Sequence, residues 1–192
     1  MSKERWRPST EEVQQELRRV QHRRRYSKTL NSTVYYMLLA AALAVLLATL
    51  WLPVLRIYGN SMDPTLSKDD LVIAVKDADF QTGDVCAFYY NNRLLVKRVI
   101  ANPGDWVNID EDGNVYVNGE KLEEPYIKEK AFGQCNLELP YQVPDEHYFV
   151  LGDDRAVSLD SRNSAIGCVS EEQVLGKIVL KIWPLKEIEI VH

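Results

Sequence analysis

Two hydrophobic patterns divide the chain. From residue 29 to residue 55, 27 positions carry no charge, and the centre of that run, residues 37–47, is apolar on every helical face. Beyond Arg56 the apolar residues come in short runs broken by turn residues. With a rise of about 1.5 Å per residue, about 20 residues span a hydrocarbon core of about 30 Å, so the first pattern predicts a membrane-crossing helix. Tyr35, Tyr36 and Trp51 lie near its ends, where amphipathic rings favour the headgroup region. A cleaved leader would have a shorter apolar part, about 7 to 15 residues, and a small-residue end. Here the run closes on Trp51-Leu52-Pro53, so the segment is expected to stay attached.

The second pattern reads as β-structure. Residues 71–75, 84–90 and 94–100 are rich in apolar, β-branched and aromatic side chains, and Asn91-Asn92 is a hairpin signal between the last two. Residues 106–109, 114–117 and 121–122 continue the series across Asp112-Gly113 and Asn118-Gly119, pairs that adopt positive φ readily and so suit tight hairpins. Residues 147–152 and 176–183 supply later strands, and 188–190 a candidate edge. The expected fold class is mostly β: an antiparallel β-sheet domain with one N-terminal transmembrane helix. Residues 123–144, with Gly133 and three prolines, read as an irregular excursion from the sheet.

Charge orients the chain. The formal net charge is -5, yet the first 28 residues hold 9 Lys/Arg against 4 acids, leaving 14 basic and 24 acidic residues beyond the apolar run. Arg18, Arg19, Arg23, Arg24, Arg25 and Lys28 crowd the N-terminal side of that run while only Arg56 lies close on the other, so the positive-inside rule keeps the N-terminus in the cytoplasm. The expected organisation is a cytoplasmic basic tail at 1–28, an anchor at 29–55 and an extracytoplasmic domain at 56–192. Ser9-Thr10-Glu11-Glu12 resembles a helix start, and the tail reads as partly helical and suited to anionic lipid. An acidic main domain has no electrostatic reason to seek nucleic acid. Three cysteines rule out a full disulfide framework and allow one bridge; Cys86, in a strand-like run, reads as a small buried apolar group. No cysteine pair has metal-ligand spacing and His22, His147 and His192 are scattered, so neither a metal nor a cofactor is expected.

Two residues carry candidate chemistry. Ser61 lies in Gly59-Asn60-Ser61-Met62-Asp63-Pro64-Thr65, where Gly59 and Pro64 suggest a tight turn that presents the hydroxyl and its N–H. A serine hydroxyl must hand its proton to a base as it attacks a carbonyl. Lys97 can be that base only if its amine is neutral, which burial among apolar neighbours favours. Leu94, Leu95, Val96, Val99 and Ile100 surround it in sequence. Strand alternation puts Lys97 on one face with Leu95 and Val99, and leaves Arg98, on the other, free to reach water. A third segment, Gly152-Asp153-Asp154-Arg155-Ala156-Val157-Ser158-Leu159-Asp160-Ser161-Arg162, interleaves acids, serines and arginines just after an apolar run.

These three segments, in this order after an apolar anchor, resemble the bacterial type I signal peptidases. The resemblance runs from the anchor to about Trp183. It is carried by Ser61-Met62-Asp63-Pro64-Thr65, by Lys97-Arg98-Val99-Ile100-Ala101-Asn102-Pro103-Gly104-Asp105 and by the Gly152 to Arg162 segment. It implies a serine endopeptidase that removes signal peptides at the outer membrane face, with Ser61 as nucleophile and Lys97 as general base. Ser158 would hydrogen-bond the lysine amine, Asp160 and Arg162 would form a supporting charged pair, and Asp153 and Arg155 would brace the same loop. The Ser61 N–H would hold the oxyanion; where some members carry a second donor hydroxyl, this chain has Gly59, so a backbone group or water would have to substitute. Asp154 stands where many relatives carry Asn.

The family's substrates are secreted preproteins with small residues one and three positions before the cut. Such a peptide can bind by strand addition, and the resemblance implies that its edges here would be Ile57-Tyr58-Gly59 and Leu95-Val96-Lys97. Met62 is a further candidate contact; Ile57 and Val96 read equally well as pocket lining or as core. Two catalytic rivals fit less well. Self-cleaving repressors pair serine with lysine but lack the anchor, and endoplasmic-reticulum signal peptidases place histidine where Lys97 stands. A non-catalytic membrane-tethered peptide-binding β domain would explain the anchor but not the paired motifs.

Overall fold

The computed structural model describes residues 10–76 and 78–191. Ser9, the rest of the first nine residues, Asp77 and His192 lie outside the described residues. The chain divides into two units, one through Ala48 and one from Thr49. Helix α1 runs Thr10–Trp51 without a break. Its apolar part, Leu30–Trp51, is 22 residues long, enough to cross a bilayer, and its described side chains are exposed. The expected anchor ran on to Leu55, but the helix stops at Trp51. Pro53 has no N–H for a helical bond, and Val54 and Leu55 pair instead with Ile73 and Val72.

The second unit is built on antiparallel sheet, as the alternation of short apolar runs and turn residues requires. Strands β1 (Val54–Arg56), β2 (Leu71–Val75), β3 (Val85–Tyr90), β4 (Arg93–Ala101), β5 (Trp106–Ile109), β6 (Val115–Val117), β7 (Glu120–Lys121), β8 (Tyr141–Gln142), β9 (His147–Leu151), β10 (Val169–Ser170), β11 (Val174–Trp183) and β12 (Glu189–Ile190) form two sheets. The larger has the order β1-β2-β11-β3-β4-β9-β10, with β12 on β11; the smaller is β7-β6-β5-β8. Asn91 and Asn92 both take positive φ between β3 and β4, the geometry of a turn that matches strand twist. Asn118 and Gly119 do the same between β6 and β7.

One core cluster, with Ile57, Met62, Leu66, Val72, Val85 and Ile178, lies under the larger sheet and reaches the Ser61 turn. A second, with Ile100, Val107, Ile109, Phe149 and Leu151, joins the two sheets. Cys86 belongs to a third, as expected of a small apolar side chain; burial pushes its thiol up to about 12, and all three cysteines are free. Residues 123–144 are irregular apart from β8, yet Glu124 and Phe132 from this stretch pack inward.

Candidate active site

The Ser61 turn is pinned at both ends. The Ile57 N–H donates to Asp70 O at 2.9 Å and the Asp69 N–H to Ile57 O at 3.0 Å, while Met62 and Leu66 plug the loop into the core. Gly59 has φ +87°, a left-handed conformation that a side chain would strain. The Asp154 N–H donates to Ser61 O at 3.1 Å, tying the turn to the loop after β9.

Strand β4 delivers Lys97 opposite Cys86. Its amine donates to Ser61 Oγ at 2.7 Å and only 4% of the residue is exposed. Burial lowers its pKa from 10.5 to about 8; Asp160 and Asp153 oppose this and Arg162 reinforces it, all by charge at a distance rather than by hydrogen bonding. A lysine without an adjacent carboxylate therefore has an accessible neutral form near neutral pH.

The loop from Gly152 to Arg162 is cross-braced. Asp160 accepts from the Gly152 N–H at 3.1 Å and from Arg162 Nε and Nη2 at 2.8 and 2.9 Å, so the charged pair expected there is formed. Arg162 also donates to the carbonyls of Phe132 and Arg155, both at 2.9 Å. A Cβ on Gly152 would overlap the Ser158 hydroxyl and the Ser61 carbonyl oxygen, so only glycine permits this approach. The hydrogen bond expected from Ser158 to Lys97 is absent. The Ser158 hydroxyl is buried against Gly152 without a partner among the described residues, and the Lys97 amine is directed to Ser61 instead.

Arg98 corrects a second expectation. It does not reach water: it is fully buried, and Nε and Nη2 grip Asp153 at 2.8 and 2.7 Å. Thr65 Oγ1 donates to the same carboxylate at 2.5 Å, and Arg98 donates to Gly83 O at 2.6 Å. The face opposite Lys97 is covered by a second layer of protein, which alternation alone does not disclose. Arg155 is held from outside its loop by Glu124. Thr65, Arg98 and Glu124 thus support the site without having been assigned a role in it from the sequence. The available signal was charge count: Arg98, Arg155 and Arg162 against Asp153 and Asp160 call for one more acid once all are buried.

Val54 to Gly59 on one side and Arg93 to Lys97 on the other flank a groove of about 670 Å³, with Ser61 and Met62 also lining it. Pairing of β4 with β9 begins only at Arg98, so, among the described residues, positions 93–97 are paired through β3 alone and leave an edge on the groove side. Tyr58 is exposed, Leu95 and Val96 are half-buried, and Ile57 and Met62 are buried. The two residues left between pocket and core are thereby distinguished: Ile57 is core with contact to the groove, and Val96 is partly open to it.

A hydroxyl hydrogen-bonded to a buried amine without a carboxylate partner, set at the end of a groove with free strand edges, has the makings of a serine hydrolase with a lysine base. The chain belongs to the signal peptidase family, peptidase S26, whose model matches residues 30–183. It is 35% identical to a signal peptidase I of Bacillus amyloliquefaciens over 162 residues, covering 79% of this chain and 86% of that protein. It is 38% identical to a signal peptidase IB of Staphylococcus aureus over 151 residues, covering 68% and 78%. A crystal structure of a signal peptidase I from Enterococcus faecalis V583 shares 32% identity, with a TM-score of 0.45 over 52% of this chain and 97% of that one.

Proposed function

We propose that this signal peptidase cleaves secreted preproteins at the outer face of the membrane, with Ser61 as nucleophile and Lys97 as general base. The observation that carries the reading is the 2.7 Å contact between Lys97 Nζ and Ser61 Oγ at a buried amine. In the reactive state the amine is neutral and the Ser61 O–H donates to it. As Oγ attacks the scissile carbonyl carbon, its proton passes to Nζ, and the oxyanion takes the Ser61 N–H. The C–N bond then breaks, Nζ returns the proton to the leaving amine, and an ester on Ser61 remains. Water, deprotonated by the same amine, hydrolyses that ester. The orphaned Ser158 hydroxyl, buried against Gly152, is a candidate to receive the lysine once it is charged.

The signal peptide adds as a strand between residues 57–59 and 95–97, its small residues facing the shallow space beside Val96 and Met62. Leu30–Trp51 crosses the membrane once, the basic residues before it stay in the cytoplasm, and residues 56–192 stand outside. The anchor thus keeps the peptidase on the same membrane as its preprotein, raising local concentration rather than affinity. The test is a pH–rate profile of the full chain in lipid vesicles on a preprotein ending its signal in Ala-x-Ala. Activity is expected to rise with pH and level off above about 8, where the Lys97 amine is neutral. Ser61→Ala and Lys97→Ala should each abolish it; cleavage that survives either change would defeat the assignment.

A further inference from the structure

Residues 123–144 contribute nothing to the dyad, yet one part of them reaches its support. Glu124 lies fully buried between two groups: its carboxylate accepts from both terminal nitrogens of Arg155, one at 3.3 Å and the other closer, and from the Tyr126 phenol at 3.1 Å. The Tyr126 ring in turn covers the Arg98 guanidinium, 3.8 Å from its centre. Arg155 donates to Gly152 O at 3.0 Å, and Arg98 grips Asp153. The Glu124-Pro125-Tyr126 step therefore holds both arginines that flank Gly152-Asp153, the turn whose next N–H, from Asp154, fixes the Ser61 carbonyl.

We infer that Glu124 and Tyr126 are positioning residues for the peptidase reaction, clamping Arg155 and Arg98 so that the Gly152 to Asp154 turn sets both Ser61 and Ser158 in place. The buried charges support the assignment. Arg98, Arg155 and Arg162 face Asp153, Asp160 and Glu124, a set that balances only when Lys97 is neutral. Glu124 completes that balance, and its removal leaves Arg155 buried without a carboxylate. A guanidinium stacked on an aromatic ring loses freedom without losing its hydrogen bonds, so Tyr126 stiffens the Arg98–Asp153 pair from its open face. Because Gly152 packs directly on Ser158 and Asp154 bonds directly to Ser61, movement of this turn is transmitted to the reacting hydroxyl.

The inference rests on the Ser61/Lys97 reading, and the experiment separates the two. Full-length protein in vesicles is assayed on the same preprotein at 25 °C, with kcat, KM and thermal midpoint measured for the wild type, Tyr126→Phe and Glu124→Gln. Tyr126→Phe keeps the ring and removes one hydrogen bond; kcat should fall by about 3- to 10-fold with KM unchanged. Glu124→Gln should lower kcat by at least about 10-fold, again at constant KM, and if that variant does not fold, Tyr126→Phe alone decides. If the wild type cleaves and the variants only melt earlier, with kcat intact, the clamp is structural and the inference fails while the dyad stands. If the folded wild type cleaves nothing, the functional reading fails and takes this one with it.

Discussion

Strand β4 buries two adjacent cations in opposite surroundings. Lys97 has a serine hydroxyl at 2.7 Å and carboxylates only at a distance, so burial depresses its pKa toward about 8. Arg98, one residue on, meets a bidentate carboxylate, a threonine hydroxyl, a carbonyl and an aromatic ring. Desolvation without a partner makes a cation reactive, whereas desolvation with a complete partner set makes it a fixed structural charge. The residue types suit these fates, since an amine can surrender its proton and a guanidinium cannot.

The largest expected effect comes from exchanging the reactive member. Lys97→Arg keeps a cation beside Ser61 but removes the proposed proton acceptor, so kcat should fall by about 1,000-fold or more. The variant's residual activity should not recover anywhere from about pH 6 to about pH 10, since no neutral form becomes available. Single-turnover cleavage across that range checks it; a variant that recovers at high pH would mean that the amine's deprotonation is not what limits the reaction.

Breaking the structural member should act on stability instead. Arg98→Met leaves the Asp153 carboxylate buried with, among the described residues, only Thr65 to serve it, at an expected cost of about 3 to 5 kcal/mol. Adding Asp153→Leu should recover a large part of that cost, because the unpaired charge is gone. Urea unfolding of the wild type and of these two variants measures the difference. A single variant as stable as the wild type would show that the network is not what holds the loop.

How far this contrast is legible in sequence depends on the range of the interactions. The hairpins were readable because Asn91-Asn92 and Asn118-Gly119 encode their own positive φ values. The three motif segments do converge, with Ser61 and Lys97 in contact and Asp160 paired with Arg162. The helix ends at Trp51, short of the uncharged run's end at Leu55, and hydropathy does not register the reason, which is that Val54 and Leu55 find a strand partner in β2. Arg98 looked solvent-facing because alternation assigns a face without saying what covers it. Charge count asks for one more acid but cannot locate Glu124, whose partner lies 31 positions away, and the packing of the Ser158 hydroxyl against Gly152 is a contact that no local pattern encodes.

The smallest expected effect has the sharpest pH signature. The unfolded chain keeps the Lys97 proton up to its ordinary 10.5, and the folded chain only up to about 8. Between those values the unfolded state binds more protons, so this residue's contribution to stability rises with pH; below about 8 both states are protonated and the full penalty of burying the ammonium is present. Lys97→Met, which fills similar space without charge, should therefore stabilise the protein at pH 7 by about 2 to 3 kcal/mol while destroying activity. The advantage should shrink from pH 8 upward and be gone by about 10.5, whereas the cost of Arg98→Met should hardly change over that window because a guanidinium stays charged throughout. Unfolding curves at four pH values separate the two. If the Lys97→Met advantage persisted at pH 11, burial of the ammonium would not be its origin, and the distinction between the two cations of β4 would have to rest on packing alone.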